Sequence, residues 1–299
     1  MTKILAFSGK KQSGKNTAFN FLLGLEMIKS SLVRGNMTVT KEGRLWVSDL
    51  WGDESFQGYF DADRNTPTMI RLMNECVYPF LKPYSFAGIL KQDVCMGVLG
   101  LSHEQCFGTD EQKNTLTQLQ WENMPGVITM GKLKKEWGDM LCDWFPNDDE
   151  YGCQEMDESL ARINLIYHAE GIMTAREVMQ YVGTEIFRKM YGNVWADSTI
   201  KRIIADGSEV AVITDCRFPN EVKAVQSAGG KVVRLTRGPA SYTDLHASET
   251  ALDNYEGFDV ILDNADMNVD EQNIEFQKIL TNWGWLDKME TKRIKPQEA

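Results

Sequence analysis

The sequence predicts an α/β fold in which helices flank a parallel sheet, with insertions between the repeating elements. Short apolar runs recur along the chain, and most are followed by apolar residues at helical spacing. Strands that alternate with helices indicate a parallel sheet with right-handed crossovers. A chain of 299 residues can also bury one large core. We therefore predict a single domain over residues 1–299, with insertions near 31–80 and 109–170 and a flexible tail over 288–299.

The first strand and helix are predicted near the N-terminus. Residues 4–7 form a continuous apolar run, as expected of a strand buried on both faces of a parallel sheet. This run ends at Ser8-Gly9, and a glycine- and lysine-rich loop follows. Beyond the loop, apolar side chains give the predicted helix its buried side: Phe19, Phe21, Leu22, Leu23, Leu25 and Met27.

The middle of the chain contains the two predicted insertions, which are polar and rich in turn-forming residues. We expect loops or a hairpin in the first and assign no chemistry to it. The second is expected to elaborate the surface, since Trp121, Trp137 and Trp144 need something to pack against. Between the insertions, residues 83–94 predict a short strand followed by a helix.

The last third of the chain returns to regular elements. Thr174 and Glu177 match a capping box, in which each side chain accepts a hydrogen bond from the backbone amide of the other residue. A helix is expected to follow. We also expect strands at residues 210–214, 231–236 and 258–262, a helix that begins at Pro219, and a closing helix over 269–283.

Charge and composition exclude several classes of function. A formal net charge of −11 disfavours a grip on duplex DNA, because such binding depends on lysines and arginines that neutralise phosphates. The six cysteines include no C-x-x-C pair and the three histidines complete no zinc set, so we expect reduced thiols in a cytoplasmic protein. No stretch approaches the roughly 18 apolar residues that cross a bilayer. We expect neither a membrane nor a nucleic-acid polymer as partner.

The clearest functional pattern lies between the first strand and helix. Gly9-Lys10-Lys11-Gln12-Ser13-Gly14-Lys15-Asn16-Thr17 matches a phosphate-binding loop and predicts a P-loop NTPase-like sheet. Glycines at both ends let backbone amides turn towards phosphate oxygens, and Lys15 can reach the transferring phosphate. The pattern usually places Ser or Thr directly after the lysine as a magnesium ligand, whereas this chain has Asn16 and then Thr17. The alternative is a glycine- and lysine-rich turn.

A second candidate site follows the strand predicted at 210–214. That strand ends in Asp215-Cys216-Arg217. An acid at this position can hold a magnesium-bound water or activate an acceptor, since ligands gather beyond the C-terminal ends of parallel strands. Arg217 offers a planar fork to a phosphate, and Glu221 is placed to hold that guanidinium group. The alternative is a capping acid beside a surface arginine.

A third candidate site lies on the helix that begins near Ala175. Arg176, Gln180 and Gly183 share one face of this helix, and Thr184 is adjacent. A glycine within a helix costs about 1 kcal/mol relative to alanine, so Gly183 indicates a break or a close approach. Such a break would place Thr184 against a substrate. The alternative is a polar face directed at water.

Arg234 and Arg237 flank the end of the strand predicted at 231–236, and His246 follows. Arginines on a flap over a bound nucleotide would neutralise the charge that develops during phosphoryl transfer. For His246, an ordinary loop histidine is the alternative.

Taken in order, these patterns resemble the deoxynucleoside monophosphate kinases of tailed bacteriophages. The resemblance covers about half of the chain. It rests on residues 8–17, on Arg176-x-x-x-Gln180-x-x-Gly183-Thr184 with Trp195 downstream, on Asp215-x-Arg217-x-x-x-Glu221, and on His246-x-Ser248-Glu249. This chain departs from the family in having Asn16 where an aspartate commonly follows the lysine, and Glu177 where a second basic residue is expected.

The resemblance implies a kinase that uses ATP and Mg²⁺ and acts on a deoxynucleoside monophosphate (dNMP), in the host cytoplasm if the protein is phage-encoded. A homodimer is one use for the insertions, and an acceptor lid is another. The implied ATP contacts are Gly9, Lys11, Ser13, Gly14, Lys15, Asn16, Thr17 and Arg237, with Thr17 and Asp215 at the metal. The implied acceptor contacts are Phe86, Lys91, Arg176, Gln180, Gly183, Thr184 and Trp195. The implied catalytic residues are Lys15, Asp215, Arg217 and Glu221.

Two other functions stay open at this point. One is a P-loop kinase for another small phosphate or alcohol. The other is a nucleotide-binding protein without catalysis, which Asn16 and the insertions allow. Either would keep the predicted fold.

Overall fold

The computed structural model describes residues 2–62, 64, 66–132, 166–238 and 250–286. The chain forms two compact units. Unit 1 comprises Met1–Gly88 and Trp195–Ala299, and unit 2 comprises Ile89–Val194. The single domain expected over 1–299 stays a prediction.

Strands occur in both units, and α-helices lie between several pairs of successive strands in the described residues. In chain order the strands are β1 (Lys3–Ser8), β2 (Met37–Val39), β3 (Leu45–Leu50), β4 (Asp53–Phe60), β5 (Leu81–Tyr84), β6 (Leu116–Gln120), β7 (Val127–Ile128), β8 (Ile166–Tyr167), β9 (Ile172–Thr174), β10 (Val210–Cys216), β11 (Lys231–Leu235) and β12 (Val260–Leu262). The α-helices are α1 (Lys15–Lys29), α2 (Pro67–Leu72), α3 (His103–Phe107), α4 (Asp110–Lys113), α5 (Ala175–Gln180), α6 (Val194–Asp206), α7 (Pro219–Ser227) and α8 (Val269–Asn282).

A five-stranded parallel sheet forms the centre of unit 1, in the order β12-β11-β1-β10-β5. The middle strand β1 is buried from Ile4 to Ser8, because helices cover both faces of a parallel sheet. Helix α8 closes the core: the Phe276 ring lies 5.3 Å from Phe7 and 6.4 Å from Phe21. The sequence prediction of an α/β fold with a parallel sheet and flanking helices is confirmed.

The first predicted insertion contains an antiparallel sheet, in the order β2-β3-β4. It packs on α1 at Gly24, where a Cβ atom would lie 2.2 Å from Met37 Sδ and 2.9 Å from Leu45 Cδ1. Gly24 therefore stands within the helix to let the small sheet approach.

In its described residues, unit 2 has two short strand pairs and a helix that changes from α-helical to π-helical geometry. Strands β6 and β9 pair antiparallel, and β7 and β8 pair parallel. Helix α5 begins at the predicted capping box, with Thr174 and Glu177 exchanging both expected bonds. The helix continues as a π-helix over Tyr181–Arg188. A Cβ atom at Gly183 would lie 2.6 Å from Leu90 Cδ2, so the predicted close approach is present.

The structure bears on two expectations, the absence of a membrane partner and the reduced state of the cysteines. Every helix in the described ranges is too short or too polar to span a lipid bilayer. The cysteines that the structure describes, Cys76, Cys95, Cys106 and Cys216, are free thiols.

Candidate active site

The loop from Gly9 to Gly14 joins β1 to α1 and has a backbone that few sequences tolerate. Gly9 (φ +152°) and Gly14 (φ +94°) both adopt conformations that favour glycine. A Cβ atom at Gly9 would also lie 2.3 Å from Ser13 Oγ and 2.9 Å from the Leu235 carbonyl oxygen. Gln12 adopts φ +63° without being a glycine. Such strained positions cluster where a loop has to hold one shape for a ligand.

Lys15, the first residue of α1, folds its side chain back over this loop. Its Nζ atom donates to the carbonyl oxygens of Gly9 (2.7 Å) and Lys10 (2.6 Å) and to Ser13 Oγ (3.2 Å). The three protons of an ammonium group allow three such bonds. The charge of Lys15 is thereby fixed at the loop.

The surroundings of Lys15 are strongly cationic. Burial lowers the pKa of Lys15 to about 8, and repulsion from the Arg217 and Arg234 guanidinium groups adds to that shift. The Asp215 carboxylate acts in the opposite direction. These residues come from the ends of three neighbouring strands, β1, β10 and β11, so the C-terminal edge of the sheet concentrates positive charge. A polyanion is the ligand that such a cluster favours.

Arg234 is anchored between the loop and a nearby turn. Its Nη1 donates to Ser8 Oγ (3.0 Å), and its Nη2 lies 3.4 Å from Asp253 Oδ1. Asp253 also pairs with Lys10 Nζ at 3.1 Å. Sequence reasoning singled out Arg234 but missed Asp253, whose position outside any recognised motif gave no signal.

Asp215 connects β10 to the segment after β5. Its Oδ1 accepts the backbone amide proton of Phe86 (2.8 Å), and its Oδ2 accepts that of Ala87 (3.2 Å). A carboxylate offers about four acceptor positions, of which these amides use two. The side chain of Phe86, a predicted acceptor contact, is buried.

Glu221 is 2% exposed at the start of α7. Its Oε2 accepts the backbone amide protons of Arg217 (2.8 Å) and Phe218 (3.1 Å). The carboxylate therefore fixes the backbone that carries Arg217. The contact with the Arg217 guanidinium group and the catalytic role expected of Glu221 stay predictions.

Of the other predicted ATP contacts near the loop, two are exposed and one packs against the antiparallel sheet. Lys11 and Asn16 are exposed. The Thr17 hydroxyl packs against the turn between β2 and β3, where a Cβ atom at Gly43 would lie 2.4 Å from Thr17 Oγ1. The metal role expected of Thr17 stays a prediction.

Arg237, a predicted ATP contact, binds the segment that follows β12. Its amide donates to Asn264 Oδ1 (2.9 Å), its Nε to the Asn264 carbonyl oxygen (3.0 Å), and its Nη2 to the Met267 carbonyl oxygen. Asn264 in turn donates to the Ser13 carbonyl oxygen at 2.8 Å. Arg237 thus reaches the loop from Gly9 to Gly14 through Asn264, a residue that the sequence analysis missed. Its place just after a strand of the parallel sheet was the available signal.

Unit 2 holds a second group of predicted residues. Arg176 Nη2 lies 2.7 Å from Asp110 Oδ1, and its Nε donates to Asn114 Oδ1 at 2.9 Å, which orients the guanidinium group. Gln180 and Thr184 are exposed farther along the same helical stretch. Lys91 Nζ lies 4.9 Å from the centre of the Phe107 ring.

Of the remaining predicted residues, one is buried and three lie outside the part of the chain that the structure describes. Trp195 is buried in unit 1, near the start of α6. His246, Ser248 and Glu249 lie outside the described residues.

Comparison with known families gives this arrangement a context. The family model "Deoxynucleotide monophosphate kinase" matches residues 98–273, which is more than half of the chain. The chain belongs to this kinase family.

Relatives of this kinase occur in viruses. A protein of Acanthamoeba polyphaga mimivirus, named "Putative deoxynucleotide monophosphate kinase", is 26% identical over 196 residues, which cover 60% of this chain and 73% of that protein. "Uncharacterized protein ORF77" of Ictalurid herpesvirus 1 (strain Auburn) is 34% identical over 97 residues, 30% of this chain and 42% of that protein. The bacteriophage origin suggested by the sequence patterns stays a prediction.

The matched range locates the family likeness within the kinase. It contains Arg176, Asp215, Arg217 and Arg237, and the loop that ends at Lys15 lies N-terminal to it. The geometry of the loop from Gly9 to Gly14 is therefore an observation independent of the family match.

The Asp215→Asn variant tests how far the site depends on this carboxylate. The replacement puts an NH₂ group opposite a backbone N–H that now has an acceptor, so we expect the free energy of unfolding to fall by about 1–3 kcal/mol. Urea denaturation measures the change. Asp266→Asn, at an exposed position, is the control and should leave the free energy of unfolding unchanged. Equal stability of the two variants would show that the bonds from Asp215 to the Phe86 and Ala87 amides do not stabilise the fold.

Proposed function

We propose that this chain is an ATP-dependent dNMP kinase, which transfers the γ-phosphoryl group of ATP to a dNMP and forms ADP and the diphosphate. The observation that carries the proposal is the ammonium group of Lys15. It is held on a glycine-bounded loop beside Arg217 and Arg234, in a chain of the deoxynucleotide monophosphate kinase family.

The ATP phosphates would lie along the loop from Gly9 to Gly14. Amides at the N-terminus of a helix bind phosphate oxygens through hydrogen bonds and through the positive end of the helix dipole. Lys15 would exchange its bonds to the loop carbonyls for bonds to the phosphates. Lys11 and Asn16 are exposed and would add contacts to the nucleotide, and Arg237 supports the loop through Asn264.

The residues present fit a magnesium ion that is held mainly by nucleotide phosphates. Mg²⁺ commonly keeps several waters and takes one or two carboxylates, with phosphates supplying other ligands. Among the described residues, no group of three His, Cys, Asp or Glu could enclose a metal. Asp215 would supply a carboxylate to this ion, and the ion would neutralise phosphate charge.

Transfer would proceed by in-line attack of an acceptor phosphate oxygen on the γ-phosphorus, with breakage of the bond to the β-phosphate bridging oxygen. Little covalent chemistry is required of the protein in such reactions, so positioning and charge stabilisation dominate. Lys15, Arg217 and Arg234 would stabilise the charge that develops on the transferring group.

Arg176 of unit 2 would be the main cation that binds the acceptor phosphate. Arg176 is oriented by Asp110 and Asn114, and an oriented guanidinium group matches two oxygens of a phosphate. Gln180 and Thr184 are exposed nearby in sequence and offer hydrogen bonds. Lys91, Gly183, Phe86 and Trp195 complete the predicted acceptor set.

Replacement of Lys15 by alanine tests the phosphate site. We expect Lys15→Ala to lower kcat for phosphoryl transfer by about 100-fold or more, which is the usual loss when one preorganised charge at a transition state is removed. Steady-state rates of ADP and dNDP formation measure it, and circular dichroism checks that the variant is folded. Lys29→Ala, at the other end of the same helix, is the control. A fully active Lys15→Ala enzyme would contradict the site.

The lowered pKa of Lys15 predicts a pH dependence of ATP binding. Without nucleotide, half of the Lys15 side chains lose their proton at about pH 8. Bound phosphates favour the ammonium form, so the pKa rises in the complex and binding takes up protons near pH 8. ATP affinity should therefore fall as the pH rises from 7 to 9.

Calorimetric titration at pH 8 in buffers of different ionisation enthalpy measures this proton uptake directly. Lys15→Met removes the titrating group and should abolish the uptake. An ATP affinity that is constant from pH 7 to 9 would show that Lys15 does not change protonation on binding.

Loss of Arg176 should act on the acceptor. A hydrogen bond to a charged group contributes about 1.5–3 kcal/mol, so we expect Arg176→Ala to raise the acceptor KM by about tenfold or more while the ATP Kd changes less than twofold. Arg71→Ala removes another exposed arginine that pairs with a carboxylate and is the control. Equal losses of acceptor and ATP binding would place Arg176 elsewhere.

A further inference from the structure

We infer that Asn264 and Gln272 are positioning residues that hold the phosphate loop in its binding shape, an inference that rests on the proposed function. Both side chains are buried: Asn264 is 0% and Gln272 is 1% exposed. Asn264 follows β12 and Gln272 lies in the first turn of α8, so both belong to elements far from the loop in sequence.

The contacts of Asn264 use both protons of its amide nitrogen. Nδ2 donates to the Ser13 carbonyl oxygen (2.8 Å) and to Gln272 Oε1 (2.7 Å). Its Oδ1 accepts the backbone amide proton of Arg237 at 2.9 Å. The Ser13 carbonyl can only accept and the Arg237 amide can only donate, so these partners fix which end of the Asn264 amide faces the loop.

Gln272 supports the next peptide of the loop. Its Nε2 donates to the Gly14 carbonyl oxygen in a longer bond of 3.4 Å, and its Oε1 lies where a Cβ atom at Gly14 would be only 2.6 Å away. Gly14 is the N-cap of α1. The Asn264–Gln272 pair therefore binds two consecutive carbonyls at the point where the loop enters the helix.

The direction of these bonds links them to phosphate binding. A peptide plane points its carbonyl and its amide to opposite sides, so anchoring the Ser13 and Gly14 carbonyls on one side orients the amides of Gly14 and Lys15 towards the other. Aspartate at 264 has no amide protons and would set a carboxylate against two oxygen atoms. Alanine would leave the buried Ser13 carbonyl without this donor.

Nucleotide binding by full-length variants tests the inference. We expect Asn264→Ala and Asn264→Asp each to raise the ATP Kd and the ATP KM about tenfold or more, and Gln272→Met to raise them severalfold, while the acceptor KM stays within twofold. Loss of an anchored loop conformation lowers the binding-competent fraction and thereby the apparent affinity.

Asn273→Ala is the matched control, because Asn273 is also a buried amide (6% exposed) on α8 and its Oδ1 makes no hydrogen bond in the described structure. It should leave the ATP Kd unchanged, whatever its effect on Tm. If the Asn264 and Gln272 variants lower Tm but bind ATP as the unmodified chain does, the positioning role is overturned. If Asn264 variants fail to fold, the near-isosteric Gln272→Met decides alone.

These outcomes are separable from failure of the proposed function. An unmodified chain that binds no ATP in calorimetry would contradict the proposed kinase activity itself. An unmodified chain that binds and transfers, with unchanged ATP binding in all three variants, would contradict only the roles of Asn264 and Gln272.

Discussion

The loop between β1 and α1 must turn its amides towards a ligand, and it can do so only if the carbonyls on its other side find donors. Asn264 supplies a donor to the Ser13 carbonyl and Gln272 supplies one to the Gly14 carbonyl, and neither bond involves Lys15, the residue proposed to bind phosphate. The glycine conformations at both ends of the loop are possible only without side chains, since a Cβ atom would collide at either position. The elements that carry these donors are distant in sequence: Asn264 follows β12 and Gln272 lies on α8.

The parallel sheet adds charge to that loop. Because all five strands run in the same direction, their C-terminal ends bring Lys15, Arg217 and Arg234 to one edge. Mutual repulsion and burial make the cluster unfavourable by itself, and the lowered pKa of Lys15 records that cost. The polyphosphate of the proposed substrate would relieve the repulsion. Asp215 and Glu221 bind backbone amides at the same edge, so the charged side chains stand on a rigid frame.

The sequence predicted local features well and contacts between distant segments poorly. The apolar run of β1 and the Thr174 capping box depend on residues close in sequence, and both are confirmed. At Gly183 the sequence indicated a close approach but not the partner, Leu90. Asp253 depends on which segments the fold brings together and no local pattern marks it, whereas Asn264 is marked only by its place after a strand. Glu221 shows the intermediate case: its place four residues after Arg217 is visible in the sequence, whereas its bonds to the backbone amides of Arg217 and Phe218 depend on where the helix begins.

Membership of the deoxynucleotide monophosphate kinase family fixes the class of reaction, and base choice depends on a few pocket contacts. The proposed kinase activity is best tested by measuring ADP formation from ATP and Mg²⁺ with dAMP, dGMP, dCMP, dTMP and hydroxymethylated dCMP in turn, with the nucleotide product identified. We expect turnover with at least one acceptor and formation of its diphosphate. ATP binding without transfer to any of them would contradict it.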